Sequence, residues 1–189
     1  MNIILTGMRG SGKSHYGKAL AKLLGWKFLD TDEEIEKREG KSINEIIQKN
    51  GWNSFRKLET DLCKDIAGNL NLDEYVISTG GGLIIDRENE QLLNQNGKVI
   101  FLYRSLDKCA EFILKSFKKD QHSSITNQPQ NRPSLTNRNV DTQDELLKEL
   151  EETWTKRERR YRESADLIVD TSNPTTTPEH ILELLQNLV

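Results

Sequence analysis

Apolar residues in this chain gather in short runs that alternate with longer stretches of helical period. The runs predict strands at about Asn2–Thr6, Lys27–Leu29, Val76–Thr79, Val99–Tyr103 and Leu167–Val169. Between the first two, Ala19, Leu20, Leu23 and Leu24 recur on one helical face with Lys18 and Lys22 outward, and Gly25 closes the helix. A helix is expected from about Glu33 to Gly40. Ser42-Ile43-Asn44-Glu45 has the form of a capping box and opens a short helix that stops by Gly51. A longer helix, about Asn53–Leu70, carries Phe55, Leu58, Leu62 and Ile66 on one side. Further helices are expected at about Arg87–Asn94 and Asp107–Lys118, and after a second capping box at Thr142-Gln143-Asp144-Glu145. A last helix starts at Thr177-Pro178-Glu179, with proline in its first position. Strands separated by helices over the whole length predict βαβ units: an α/β fold of three layers, α/β/α, around a five-stranded parallel sheet. One domain over residues 1–189 is expected, long enough for a real core.

In such sheets ligands sit at the carboxyl ends of the strands. Here those ends carry Gly7–Ser14, Asp30–Asp32 and Gly80–Gly82, all polar or glycine except Met8. Gly7-Met8-Arg9-Gly10-Ser11-Gly12-Lys13-Ser14 has the form G-x-x-x-x-G-K-S, with a strand entering and a helix leaving. Glycines let the backbone turn its N–H groups inward, and the helix N-terminus supplies positive dipole to phosphate. Lys13 is expected to reach the outer phosphates and the Ser14 hydroxyl to ligate Mg²⁺. This is a nucleotide phosphate site.

Charge refines the picture without changing it. The net charge of −3 argues against a general nucleic-acid footprint. No run of eighteen apolar residues and no leading signal segment is present, so a cytoplasmic protein without membrane association is expected. Cys63 and Cys109 lie in helical patterns and are expected to be buried, reduced thiols. Residues 115–140 hold Lys115, Lys118, Lys119, Arg132 and Arg138 against the single acid Asp120, among Gln, Asn, Ser and Thr. Too polar to stay rigid alone, this stretch is expected to be a basic lid that orders over polyphosphate and excludes water. The helix after it begins acidic and ends basic, Lys156 to Arg162, which matches the helix dipole and leaves most of those arginines solvated.

A phosphate loop does not name a reaction. The Asn-Lys-x-Asp segment of a GTPase is absent, and Val76–Thr79 ends in glycine rather than in the acid of a motor ATPase. Asp30, on the neighbouring strand end, is placed to hold magnesium through water, which points to a small-molecule kinase. With Gly7–Ser14, the segments Leu29-Asp30-Thr31-Asp32, Gly40-Lys41-Ser42-Ile43, Phe55-Arg56-Lys57-Leu58-Glu59, Ser78-Thr79-Gly80-Gly81-Gly82, Asn131-Arg132-Pro133 and Lys156-Arg157 with Tyr161 occur in one order over most of the chain. In these the chain resembles the shikimate kinases, members of the nucleoside-monophosphate-kinase-like P-loop group.

The resemblance implies transfer of the γ-phosphate of ATP to the 3-hydroxyl of shikimate, a step of chorismate and aromatic amino-acid synthesis, by a monomer using Mg²⁺. It implies ATP binding by Gly10, Ser11, Gly12, Lys13, Ser14, His15 and Arg132, and a metal site of Ser14 with Asp30 through water. It places shikimate on Asp32, Arg56, Gly80, Gly81, Gly82 and Arg157, within an acceptor subregion of about 32–62, with Glu59 holding Arg56. The catalytic set it implies is Lys13, Asp32 as base or orienter, and Arg132 as an arginine finger in cis, with Arg138 a nearby competitor. Two features depart from the family pattern. The lid is longer and more polar, with Ser134-Leu135 after Arg132-Pro133. The helix before it lacks the arginine that often packs on adenine, for which Phe112 and Lys115 are the candidate replacements. The rival readings are a related kinase of another hydroxy acid such as gluconate, and a non-catalytic nucleotide-binding homologue.

Overall fold

Strand β1 (Asn2–Thr6) is buried along its whole length, and side-chain alternation divides it between two cores. Ile3 and Leu5 face the side covered by α1 (Lys13–Leu24) and α7 (Pro178–Gln186), through Leu20, Ala21 and Ile181. Ile4 faces the other side, where α3 (Ile43–Lys64), α4 (Arg87–Asn94), α5 (Leu106–Asp120) and α6 (Gln143–Glu163) contribute Leu62, Leu93, Ile113 and Leu150. The computed structural model describes residues 2–69, 73–120 and 142–187.

β2 (Lys27–Asp30), β3 (Tyr75–Ser78), β4 (Gly97–Tyr103) and β5 (Leu167–Asp170) complete a five-stranded parallel sheet in the order β2-β3-β1-β4-β5. Ile4 pairs in register with Ile77 on one side and Val99 on the other. The alternation repeats in β4, where Val99 and Phe101 join the core of Ile4 while Ile100 and Leu102 join that of Leu5. Each such buried side chain contributes about 1.5–3 kcal/mol of transfer free energy. The strand order reverses at β1, because the chain runs out to β2 at the edge, returns as β3, and then adds β4 on the far side. The phosphate loop leaves the carboxyl end of β1 at this switch point, where open α/β sheets bind ligands.

Strands β2 to β5 shift by one or two residues from the sequence expectation, and the larger differences lie in the helices, each for a local reason. Helix α2 (Thr31–Glu39) starts at Thr31 rather than Glu33, because the Asp30 carboxylate accepts from the Asp32 and Glu33 N–H groups as its cap. The two helices expected around Gly51 form the single element α3, broken at Gly51 with φ 79° and ψ 168°. The longer one ends at Lys64, and Asp65–Asn69 is a π-helical turn rather than more α-helix, since Gly68 and Asn69 are weak helix formers. Both capping boxes form as expected, Ser42 with Glu45 and Thr142 with Glu145. Residues 115–120 of the expected lid continue α5; the remainder of it, including Arg132 and Arg138, lies outside the described residues. Among the described residues no helix is long and apolar enough to cross a membrane.

Cys63 and Cys109 are both free and fully buried. Burial pushes the thiol of Cys63 up to about 12 and that of Cys109 up to about 11. Thiolate is the reactive form, so an aromatic disulfide reagent at pH 8 is expected to leave the native protein unlabelled over many minutes and to count two thiols after unfolding. Fast labelling of the folded chain would contradict this burial.

Candidate active site

Gly12 caps α1 without any side-chain hydrogen bond, so the first turn of that helix opens toward the loop as an anion site. Lys13 follows directly and is nine-tenths buried; its Nζ donates to the carbonyls of Gly7 and Met8, each at 2.9 Å. Ser14, one residue on, turns the other way. Its hydroxyl donates to Asp30 Oδ2 at 2.8 Å and lies 3.5 Å from the Ser78 hydroxyl. Strands β2 and β3 thus bring an acid and a hydroxyl to the serine that begins α1. Ser14 and Asp30 form a hard-oxygen pair of the kind that holds Mg²⁺ together with phosphates and water. Among the described residues no group of three or more His, Cys, Asp or Glu could hold a metal ion.

The triple glycine after β3 makes the second wall. A Cβ on Gly80 would lie 2.5 Å from Asp32 Oδ1, and one on Gly82 would lie 2.6 Å from both terminal nitrogens of Arg56. A side chain at either position would push the Asp32 carboxylate or the Arg56 guanidinium out of its present place. The turn is held from below by the buried Thr31, whose hydroxyl accepts the Gly80 N–H at 2.9 Å. From the other side, Arg157 donates to the Gly81 carbonyl at 3.0 Å, and the Tyr161 hydroxyl donates to the same oxygen.

Arg56 is set by three contacts. It pairs with Glu59 one helical turn on, and its guanidinium stands 5.2 Å from the centre of the Trp52 ring and 5.5 Å from that of Phe55. Glu59 is 1% exposed. Burial raises its pKa above the usual carboxylate value, while Arg56, by charge and hydrogen bond, and Arg157 pull it back down. Tyr161 is also fully buried, and burial raises its hydroxyl pKa. The result is two guanidinium groups flanking one glycine turn, which suits a small planar anion better than ammonium groups would.

These parts line one cleft of about 360 Å³, which holds Gly10, Gly12, Lys13, Ser14, His15, Asp30, Asp32, Arg56, Gly80, Gly81, Gly82 and Arg157. The sequence of the shikimate kinase family, taken as a family model, matches residues 9–188. The chain belongs to the shikimate kinase family. It is 34% identical over 187 residues to shikimate kinase 2 of Photorhabdus laumondii, covering 99% of this chain and 94% of that one. It is 38% identical to a shikimate kinase of Pseudomonas putida, covering 99% and 97%. The structure of shikimate kinase from Acinetobacter baumannii in complex with shikimate superposes with a TM-score of 0.77 at 30% identity, over 99% of this chain and 92% of that one.

Of the described shikimate kinase residues expected from sequence, Ser11 alone does not line the cleft. Ser11 is fully buried beneath the loop, its N–H donating to the Met8 carbonyl at 3.1 Å and its carbonyl accepting from Thr171. It shapes the loop from behind. Arg132 lies outside the described residues. Of the two side chains proposed to replace an arginine on adenine, Phe112 lines the cleft and Lys115 pairs with Glu111 on the exposed face of α5. The Arg104 guanidinium sits 5.3 Å from the Phe112 ring centre and 3.5 Å from the Gly10 carbonyl, making a flat apolar and cationic shelf at the rim. Sequence reading missed the Thr31 tether, the Trp52 wall and this use of Arg104. Thr31 stands between Asp30 and Asp32, which is a usable signal; Trp52 and Arg104 carry none.

Proposed function

We propose that this chain is an ATP-dependent shikimate kinase that transfers the γ-phosphate of ATP to the shikimate 3-hydroxyl. The observation that carries this reading is that phosphate loop, aspartate and paired arginines converge in one cleft. The shikimate carboxylate would sit between Arg56 and Arg157, whose forked donors match a planar anion. The ring would lie against Gly80–Gly82, where no Cβ intervenes. Its 3-hydroxyl would then face Asp32, which takes the proton as the oxygen attacks the γ-phosphorus and the bond to ADP breaks. Lys13 would exchange its loop carbonyls for the outer phosphate oxygens. Ser14, and Asp30 through water, would hold Mg²⁺, which when bound neutralises charge on the β- and γ-phosphates. Phe112 with Arg104 supports a stacking place for the base. Arg132 is assigned a charge-neutralising role by family resemblance alone.

The test is a coupled assay of ADP release with purified protein, ATP and Mg²⁺, offering shikimate or gluconate as acceptor. Shikimate-dependent release with no response to gluconate is expected. Release with gluconate only, or with neither, overturns the proposal.

A further inference from the structure

Glu149 is a buried carboxylate with no part in the chemistry above. It lies on the inward stripe of α6 with Leu146, Leu150 and Thr153, and its side chain is 2% exposed. A charge in such a stripe is costly unless paired, and leucine would fill it more cheaply. Its partner is Arg9, 15% exposed, whose Nη1 stands 3.1 Å from Glu149 Oε1. Arg9 occupies a position of the phosphate loop whose motif leaves the residue type open. Core packing and the phosphate-loop motif therefore do not call for this pair, although Arg9 also lines the cleft.

The segments it joins explain it. The phosphate loop lies directly against the acceptor turn: a Cβ on Gly81 would meet the Gly7 carbonyl at 3.4 Å and the Arg9 nitrogen at 3.5 Å. Gly81 is also the point that α6 grips, through Arg157 and Tyr161. Arg157 follows Glu149 by roughly two helical turns. One helix thus holds the donor's loop by Glu149 and the acceptor's turn by Arg157 and Tyr161. We infer that Arg9 and Glu149 form a positioning pair for phosphoryl transfer, setting the phosphate loop at its working distance from the acceptor turn. This rests on the kinase reading above. Transfer depends almost wholly on distance and alignment between attacking oxygen and phosphorus, so a small shift of the loop costs rate more than binding.

The experiment compares Glu149→Gln, Arg9→Ala and the double variant with the intact chain, by steady-state kinetics and by hydrogen exchange. Each single variant is expected to lose about tenfold or more in kcat, with KM for ATP and shikimate within about threefold. The double is expected to lose no more than either single, because the pair acts as a unit. Amide exchange in 7–12 and 80–82 is expected to rise while β1 and β4 stay protected. Unchanged kcat, additive losses, or unchanged exchange in those two segments overturns the inference. Should a single variant not fold, Arg9→Met with Glu149→Leu removes both charges at similar volume, and full kcat in it overturns the inference equally. If the intact chain shows no shikimate-dependent ADP release, the functional reading fails, and the exchange data still judge the pair.

Discussion

Asp32→Asn is expected to lower shikimate-dependent turnover by on the order of 10² or more, the loss that follows removal of a positioned base. Asparagine keeps the volume and one carbonyl oxygen of aspartate but does not take up the 3-hydroxyl proton. The fold should tolerate the change, because Asp32 is half-buried in the first turn of α2 and Asp30, not Asp32, caps that helix. A thermal melt and an ADP titration close to those of the intact chain would place the loss in the chemical step. Turnover near the unaltered value would remove Asp32 from the catalytic role and leave it as a hydrogen-bonding wall.

How far the site was legible in sequence follows from how far apart its parts lie in the chain. Gly7–Ser14 was legible because its physics is local: a tight turn and a helix start within eight residues, directly after a strand. The Arg56–Glu59 pair was legible because residues three apart on one helix are neighbours on its surface. Ser14 with Asp30 needed only the rule that parallel strands present neighbouring carboxyl ends on one rim. A contact such as Arg9 with Glu149 had no such rule, since packing alone decides it.

The basic end of α6 shows the same limit within one helix. From composition, Lys156 to Arg162 reads as a solvated face that complements the dipole. In the fold, Arg159 and Arg162 do pair along the helix with Glu163 and Glu158. Arg160 instead crosses to Glu90 on α4, and Arg157 enters the cleft. The spacing of Arg157 and Tyr161, four residues apart, held the signal that these two share the inward face. The break in α3 at Gly51 was legible from its glycine. The continuation of one element through it, which presents Trp52 and Arg56 together, was not.

Arg56→Ala should separate recognition from stability in a single position. Losing a charge-assisted contact to a carboxylate is expected to raise the KM for shikimate about 100-fold, with that for ATP nearly unchanged. The same change strands Glu59, which is buried and loses its main partner. Removing one member of a buried pair typically costs about 3–5 kcal/mol, and the partial exposure of Arg56 puts this case toward the low end. The pH dependence has a definite sign. Burial already holds the Glu59 pKa above its unfolded value, so folding takes up a proton there, and stability falls as pH rises through the folded pKa. Without Arg56 the opposing charge and hydrogen bond are gone, and the folded pKa climbs further. The deficit against the intact chain should therefore be largest at pH 8 in urea melts and narrow toward pH 5. Arg56→Ala with Glu59→Gln should recover stability at neutral pH and still leave shikimate binding weak. If that double variant instead restored the KM for shikimate, Arg56 would serve to neutralise Glu59 and the acceptor carboxylate would have to rest on Arg157.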